Sequence, residues 1–367
     1  MNRINYPSLD FGITNLCNFN CDGCNRFNNF QFSGRMAWKD YADIYKQWSE
    51  RINITHEIAV MGGEPTICTD FREWLWGVHQ LWPDTTVKLR TNGSLLKPDD
   101  AELYEIMKSS GGKIQITIAL HDCDRRAEGV AFMYAFLRGV LTGFTNVQHE
   151  DTFRNSYNNI RGATWPDCNS SAEWYTLPEE IKQECIEVFD FEPVTFRQRA
   201  MTKLAEDFVA KKVNYVTFSD ENNVTIHLTV DDQFWEAAII PNYETKTFTL
   251  HDSDPELAHR PCKEFRFDVI HTSHGQLYKC SVTEMLPEFD KQFYIEMSDA
   301  DRKMLHDVYP ATLDMDDEEL KHWFSLLDTP VPQCKFCTTN YTPKRIVGEV
   351  KKVVFLKKQK LTNCISK

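Results

Sequence analysis

No stretch of this 367-residue sequence approaches the roughly 18 consecutive apolar residues that a membrane-spanning helix requires. A helical membrane protein is therefore excluded. The first residues, MNRINYPSLDFGITNL, lack the charged start, apolar middle and small-residue cleavage site of a signal peptide. Positive charge is scarce. Against 54 Asp and Glu stand 41 Lys and Arg, a formal net charge of −13, which would repel a polyanion over most of the surface. Extended nucleic-acid binding is thus disfavoured, while a nucleotide in a pocket is not. One segment runs the other way: from Lys344 to Lys367 there are eight Lys or Arg and a single acid, Glu349. This tail reads as a solvated strand or helix end, or alternatively as a contact to an anionic substrate or partner. Internal repeats are absent too. The length suits a large α/β domain with a smaller companion, and the sequence predicts a soluble, cytoplasmic protein with no membrane contact.

Twelve cysteines in a cytosolic chain do not make a disulfide framework, because that compartment keeps thiols reduced. Seven of them group, at 17, 21 and 24 near the front and at 262, 280, 334 and 337 near the back. Grouping points to metal or cluster ligation. Cys68, Cys123, Cys168, Cys185 and Cys364 stand alone, and a lone cysteine is usually a small buried hydrophobe.

Between the two groups the chain alternates. Strands are expected at 9–16, 57–63, 85–93, 113–121 and 145–150, with helices at 40–48, 71–82, 98–109 and 129–141. This rhythm predicts a parallel α/β sheet or barrel, in which chemistry sits at the C-terminal ends of strands. The front cysteines, Gly62-Gly63-Glu64-Pro65 and Thr91-Asn92-Gly93 all fall at such ends. Past residue 150 the pattern weakens into an Asn- and Trp-rich stretch at 155–174, then helices at 178–188 and 196–210 and strands at 213–218, 223–230 and 246–252.

Cys17, Cys21 and Cys24 are spaced Cys-x3-Cys-x2-Cys on one short loop, so three thiolates can reach three corners of a [4Fe–4S] cubane. The absence of a fourth nearby cysteine is informative: one iron would stay open to bind and reduce a ligand. Zinc is the competing reading, but a closed zinc site needs four ligands and His56 is far off in sequence. At the rear, Cys262 and Cys280 flank a hairpin turning at SHGQ, and Cys334-Lys335-Phe336-Cys337 adds a Cys-x2-Cys pair. By ligand count, four thiolates suit a [4Fe–4S] cluster or a zinc ion equally well.

The segment CNFNCDGC, followed by MGGEP at 61–65 and RTNG at 90–93, resembles the signature of the radical S-adenosylmethionine (radical SAM) superfamily. That resemblance implies a partial (β/α)6 TIM-like barrel, α/β in class, in which Gly62, Gly63 and Glu64 hold the methionine amino group and Asn92 faces the ribose. Relatives often carry an aromatic residue just before the third cysteine, for the adenine; this chain has Gly23 there, and Phe19 is the substitute candidate. Where relatives often read Ser-Leu-Asp, this chain has Ala119-Leu120-His121, which makes His121 the candidate catalytic group for substrate or proton handling. The rear pattern resembles the short, Twitch form of the SPASM auxiliary-cluster domain, a smaller C-terminal α+β iron–sulfur domain. It implies a second [4Fe–4S] cluster on Cys262, Cys280, Cys334 and Cys337.

The expected organisation is a barrel over 1–200, a connecting segment over 201–254, an auxiliary domain over 255–345 and a basic tail over 346–367. The expected activity is reductive cleavage of S-adenosylmethionine to a 5′-deoxyadenosyl radical, and hydrogen abstraction from a small polar substrate such as a sugar, aminocyclitol or nucleotide, with net oxidation through the auxiliary cluster. An electron donor such as flavodoxin or ferredoxin would supply the reducing electron. Maturation of a ribosomal peptide is the alternative within the family. A non-catalytic metal-binding or electron-transfer protein is the alternative outside it.

Overall fold

The structure, a computed structural model, describes residues 3–21, 24–30, 32–121, 125–137, 143–148, 205–212, 214–230, 233–234, 238–262, 268–340 and 344–345. The expected loop at 155–174, the helix at 178–188, most of that at 196–210, Gly23 and the tail beyond Arg345 lie outside the described residues. In chain order the strands are β1 (Ile4–Thr14), β2 (Ile52–Gly62), β3 (Thr86–Thr91), β4 (Ile114–Leu120), β5 (Gly143–Gln148), β6 (Tyr215–Ser219), β7 (Thr225–Val230), β8 (Gln233–Phe234), β9 (Ile239–Asn242), β10 (Thr247–Leu250), β11 (Val269–Ser273), β12 (Gln276–Tyr278) and β13 (Lys344–Arg345). The helices are α1 (Trp38–Arg51), α2 (Phe71–Leu81), α3 (Ala101–Ser109), α4 (Arg126–Phe136), α5 (Pro255–His259), α6 (Ser281–Gln292), α7 (Asp299–His306) and α8 (Asp317–Ser325). No described helix is long and apolar enough to cross a membrane.

The chain groups into two compact units that are not contiguous in sequence. The first comprises Met1–Thr55, Met61–Glu64 and Gln233–Lys367; the second comprises His56–Val60 and Pro65–Asp232. The reason lies in a pairing that sequence proximity hides. β1 runs parallel to β11, with Leu9 opposite Ile270 and Phe11 opposite Thr272, and β12 closes antiparallel on β11. The rear hairpin thus continues from the front strand. Helix α1 packs on that hairpin through Trp48, whose indole Nε1 donates to the Gly275 carbonyl at 2.8 Å, and Thr272 Oγ1 donates to Tyr45 OH at 3.1 Å.

In the second unit β2, β3, β4 and β7 are parallel neighbours in that order. This is the parallel α/β core of the partial TIM-like barrel class expected from the sequence. The strand at 143–148 does not extend the parallel series. It pairs antiparallel with β6, which pairs antiparallel with β7, so β7 takes the place beside β4.

Each strand of this sheet has two unlike faces. Burial alternates strictly along β4, as period-two side-chain placement requires. Ile58, Val60, Val87, Leu89, Ile114, Ile116, Ile118, Ile226, Leu228, Val216 and Phe218 form one face and are at most 2% exposed. By the same parity Glu57, Lys88, Arg90, Gln115, Thr117, His227, Thr217 and Tyr215 form the other, with Thr117 in register with Arg90 and His227, and His227 with Thr217. A sheet with one apolar and one polar face packs helices on the first and offers the second to water or a ligand.

Candidate functional site

The front cysteines follow β1 directly, and the backbone of β2's end folds onto the start of their loop. Gly63 N donates to the Thr14 carbonyl at 2.6 Å and Glu64 N to the Leu16 carbonyl at 2.7 Å. Two glycines make this approach possible. Gly62 has φ +141°, a region that side chains avoid, and a Cβ on it would lie 2.3 Å from the Thr14 oxygen. A Cβ on Gly63 would lie 2.0 Å from the Leu16 oxygen. In the structure the glycine pair allows close backbone approach to the start of the cysteine loop. Gly63→Ala is therefore expected to lower stability by about 1–3 kcal/mol, as overpacking does, in a urea titration of the full chain.

Glu64 is carried inward by this contact and is fully buried. It lies in the electrostatic field of Cys17: burial pushes the Cys17 thiol up to about 11, with Cys24 and Glu64 adding to the rise and the Phe19 N–H opposing it. That N–H donates to Cys17 Sγ at 3.4 Å. The loop is tightened further by Cys24 N donating to the Cys21 carbonyl at 3.4 Å and Phe27 N to the Cys24 carbonyl at 3.0 Å. None of the three cysteines is in a disulfide, and all are half-buried. Cys68, expected to be a buried hydrophobe, is 1% exposed.

In the second unit, Asn92 ends β3 in an Asx turn, its Oδ1 accepting from Ser94 N at 2.9 Å and Ser94 Oγ at 2.5 Å. Its side-chain oxygen already serves the turn. His121 is half-buried one residue past the end of β4.

The four rear cysteines, none in a disulfide and all half-buried, line one cavity together with Tyr6 and Lys279, with an empty volume of about 530 Å³ that includes solvent at its mouth. Cys280 is the N-cap of α6, and Cys337 N donates to the Cys334 carbonyl at 3.1 Å. Lys279 stands among them. Burial lowers its pKa, and Cys334, Cys280 and Cys262 oppose that shift. The Cys334 thiol is raised by burial and further by Cys280, with Lys279 and the Val331 backbone contact working against the rise. Among the described residues, no three His, Cys, Asp or Glu side chains close to the spacing of a single-ion site. A cubane asks for a wider arrangement, each thiolate going to its own iron.

Two features near the front loop escape a reading by motif. Phe27, Phe30 and Phe32 pack against Phe289 of α6, at ring distances of 5.5, 6.2 and 5.5 Å. Arg26 pairs with Glu284 of the same helix. The available signal was the run of aromatics in RFNNFQF directly after Cys24 and Asn25.

Comparison with known proteins bears on the front half. A family model described as the Radical SAM superfamily matches residues 11–191. A GTP 3′,8-cyclase of Campylobacter lari is 28% identical over 139 residues, 37% of this chain and 41% of that protein. The match thus spans less than half of the curated relative. Among solved structures, BtrN in complex with AdoMet and 2-DOIA is 17% identical, over 44% of this chain and 54% of that one, at a TM-score of 0.27. Streptococcus suis SuiB bound to S-adenosylmethionine is 15% identical, over 75% and 60%, at a TM-score of 0.35. The family match thus rests on residues 11–191, just under half of the chain.

Proposed function

We propose that this chain is a radical SAM enzyme acting on a small polar substrate, with a cluster at Cys17, Cys21 and Cys24 and a second, Twitch-like cluster at Cys262, Cys280, Cys334 and Cys337. The observation that carries the reading is the fold of Gly62–Glu64 onto Thr14–Leu16, which brings a fully buried carboxylate into the field of Cys17. A carboxylate held there suits an ammonium group, the charge that the methionine end of S-adenosylmethionine presents. A cluster held by Cys17, Cys21 and Cys24 with one iron left open would supply the electron for reductive cleavage of the cosubstrate's sulfonium, the source of the hydrogen-abstracting species in this chemistry.

The chain's own residues do the rest. Glu64 fixes the cosubstrate, Phe19 is the adenine-facing candidate and Asn92 the ribose-facing one. His121, at the end of β4, is placed to handle a proton or a substrate hydroxyl. At the rear, one cavity shared by four cysteines supports a single fully ligated cluster, which would accept the substrate electron in a net oxidation. A flavodoxin- or ferredoxin-type donor would reduce the front cluster.

The polar sheet face supports the substrate class. Lys88 and Arg90 both contact Glu57, at 2.6 Å each, so the face presents a cluster of two cations and a carboxylate. That cluster of charged groups, beside Gln115, Tyr215 and Thr217, suits a hydroxyl-rich polar substrate. A nucleotide-like compound fits this description, and the name of the Campylobacter relative points the same way.

One anaerobic experiment tests the reading. Reconstituted protein should hold about eight irons per chain and release 5′-deoxyadenosine when given dithionite and S-adenosylmethionine. Zinc at the rear pairs, or a fully loaded sample that makes no nucleoside, would sink it. Cys334→Ala with Cys337→Ala should remove about half the iron and leave the front cluster; an unchanged iron count refutes the second site.

A further inference from the structure

The segment that follows Cys24 is held by one helix, α6, in two ways. Phe27 and Phe32 pack on Phe289, and Arg26 reaches Glu284, with Nη2 3.3 and 3.4 Å from the carboxylate oxygens. The ion pair is deeply buried, its side chains 3% and 4% exposed. Room for it comes from Gly12 on β1, where a Cβ would lie 2.2 Å from Arg26 Nη2 and 2.9 Å from Glu284 Oε1. Arg26 Nε and Nη1 are buried without a hydrogen-bond partner among the described residues.

Such a pair is a poor device for stability alone. Taking two charges out of water costs several kcal/mol per ion, and packed apolar side chains of similar volume often do as well or better. Breaking one partner is a different matter, since it strands a buried charge. What the pair does well is fix a position. Its other end is telling: Glu284 N donates to the Cys280 carbonyl at 3.1 Å in the first turn of α6, whose N-cap is Cys280 itself. His271 Nδ1 lies 3.7 Å from the Glu284 carboxylate, and Tyr45 and Tyr278 both lie in the field of that carboxylate.

We propose that Arg26–Glu284 is a positioning strut that couples the two cysteine sites. A group held at Cys280 fixes the first turn of α6, that turn fixes Glu284, and Glu284 through Arg26 fixes the Cys24 end of the front loop. The rear site thereby controls how well the front site receives S-adenosylmethionine. The inference rests on the two-cluster reading above.

The test uses the anaerobically reconstituted chain with four readouts: iron per chain, thermal midpoint, S-adenosylmethionine affinity, and the change that S-adenosylmethionine produces in the electron paramagnetic resonance signal of the reduced front cluster. Glu284→Gln should keep the rear iron, weaken S-adenosylmethionine binding about tenfold and blunt the spectral change. Removing both charges with Arg26→Met and Glu284→Leu should return the thermal midpoint towards wild type while the affinity stays about tenfold down. Cys334→Ala with Cys337→Ala should weaken binding by a similar factor, and combining it with Glu284→Gln should add little, because both act along one line of contacts.

If the doubly apolar variant recovers affinity together with stability, the pair only fills space and the strut is overturned. Normal affinity in the Cys334/Cys337 variant overturns the coupling. A wild type without a front cluster overturns both the strut and the reading beneath it, whereas a normal wild type with unaffected variants overturns the strut alone.

Discussion

Alanine at Cys17, Cys21 or Cys24 is expected to abolish 5′-deoxyadenosine formation, with a loss well beyond the roughly hundredfold that removing outer support costs a metal site. With only three thiolates within one short loop, each substitution leaves two, and two cannot define the orientation of a cubane whose fourth iron must face the cosubstrate. Glu64→Gln sets the contrast. Its carboxylate is fully buried and in the proposed arrangement serves the cosubstrate and not the cluster, so the variant should keep its iron and its visible absorption while S-adenosylmethionine affinity falls. Iron analysis and cosubstrate titration on the same samples separate the two outcomes. A cysteine variant that keeps full iron and still yields nucleoside would remove the front site from the chemistry; a Glu64 variant that loses its iron would make the carboxylate part of the cluster's cradle rather than of the cosubstrate's.

What the sequence reveals of this molecule is local. β2, β3 and β4 can be read directly from alternating apolar residues, and the rear hairpin from SHGQ between two short apolar runs. Gly62-Gly63 is legible as a special backbone position, but its reason is not: the atoms that exclude a Cβ belong to Thr14 and Leu16, 48 and 47 residues upstream of Gly62 and Gly63. The pairing of β1 with β11 joins residues about 260 apart, and Arg26 and Glu284 are separated by 258. No periodicity or spacing rule spans such gaps, because a buried arginine looks like any surface arginine until its partner is found. The antiparallel turn of β5 was hidden for another reason. Strand propensity marks that a segment is extended, and says nothing about which direction its neighbour runs.

The second large effect is expected on acidification, and it comes from the polar sheet face. His227 is buried on β7, with Nδ1 2.7 Å from both Tyr215 OH and Thr217 Oγ1 and Nε2 2.8 Å from Gln115 Oε1. Burial lowers its pKa to about 3, Lys88 adds to the fall and Glu57 opposes it. The folded chain therefore keeps this imidazole neutral where the unfolded chain, with an ordinary histidine near 6.5, binds a proton. Stability is full above about pH 6.5 and declines as pH falls, by about 1.4 kcal/mol per unit, or roughly 3 kcal/mol at pH 4.5. Glu57 pulls in the same direction only at lower pH. Burial would raise its carboxyl, but Arg90 and Lys88 outweigh that and hold it well below the usual range, so its contribution is lost below the unfolded carboxylate value near 4.3. His79 and His259 are also lowered by burial, which makes the wild-type slope a sum. The decisive measurement is a difference: urea unfolding of wild type and His227→Gln between pH 7 and 4.5. The variant should lose about one proton's worth of slope. Equal slopes would mean that His227 charges freely in the folded chain, and the face would then present an imidazolium beside Lys88 and Arg90 in place of a neutral hydrogen-bonding imidazole.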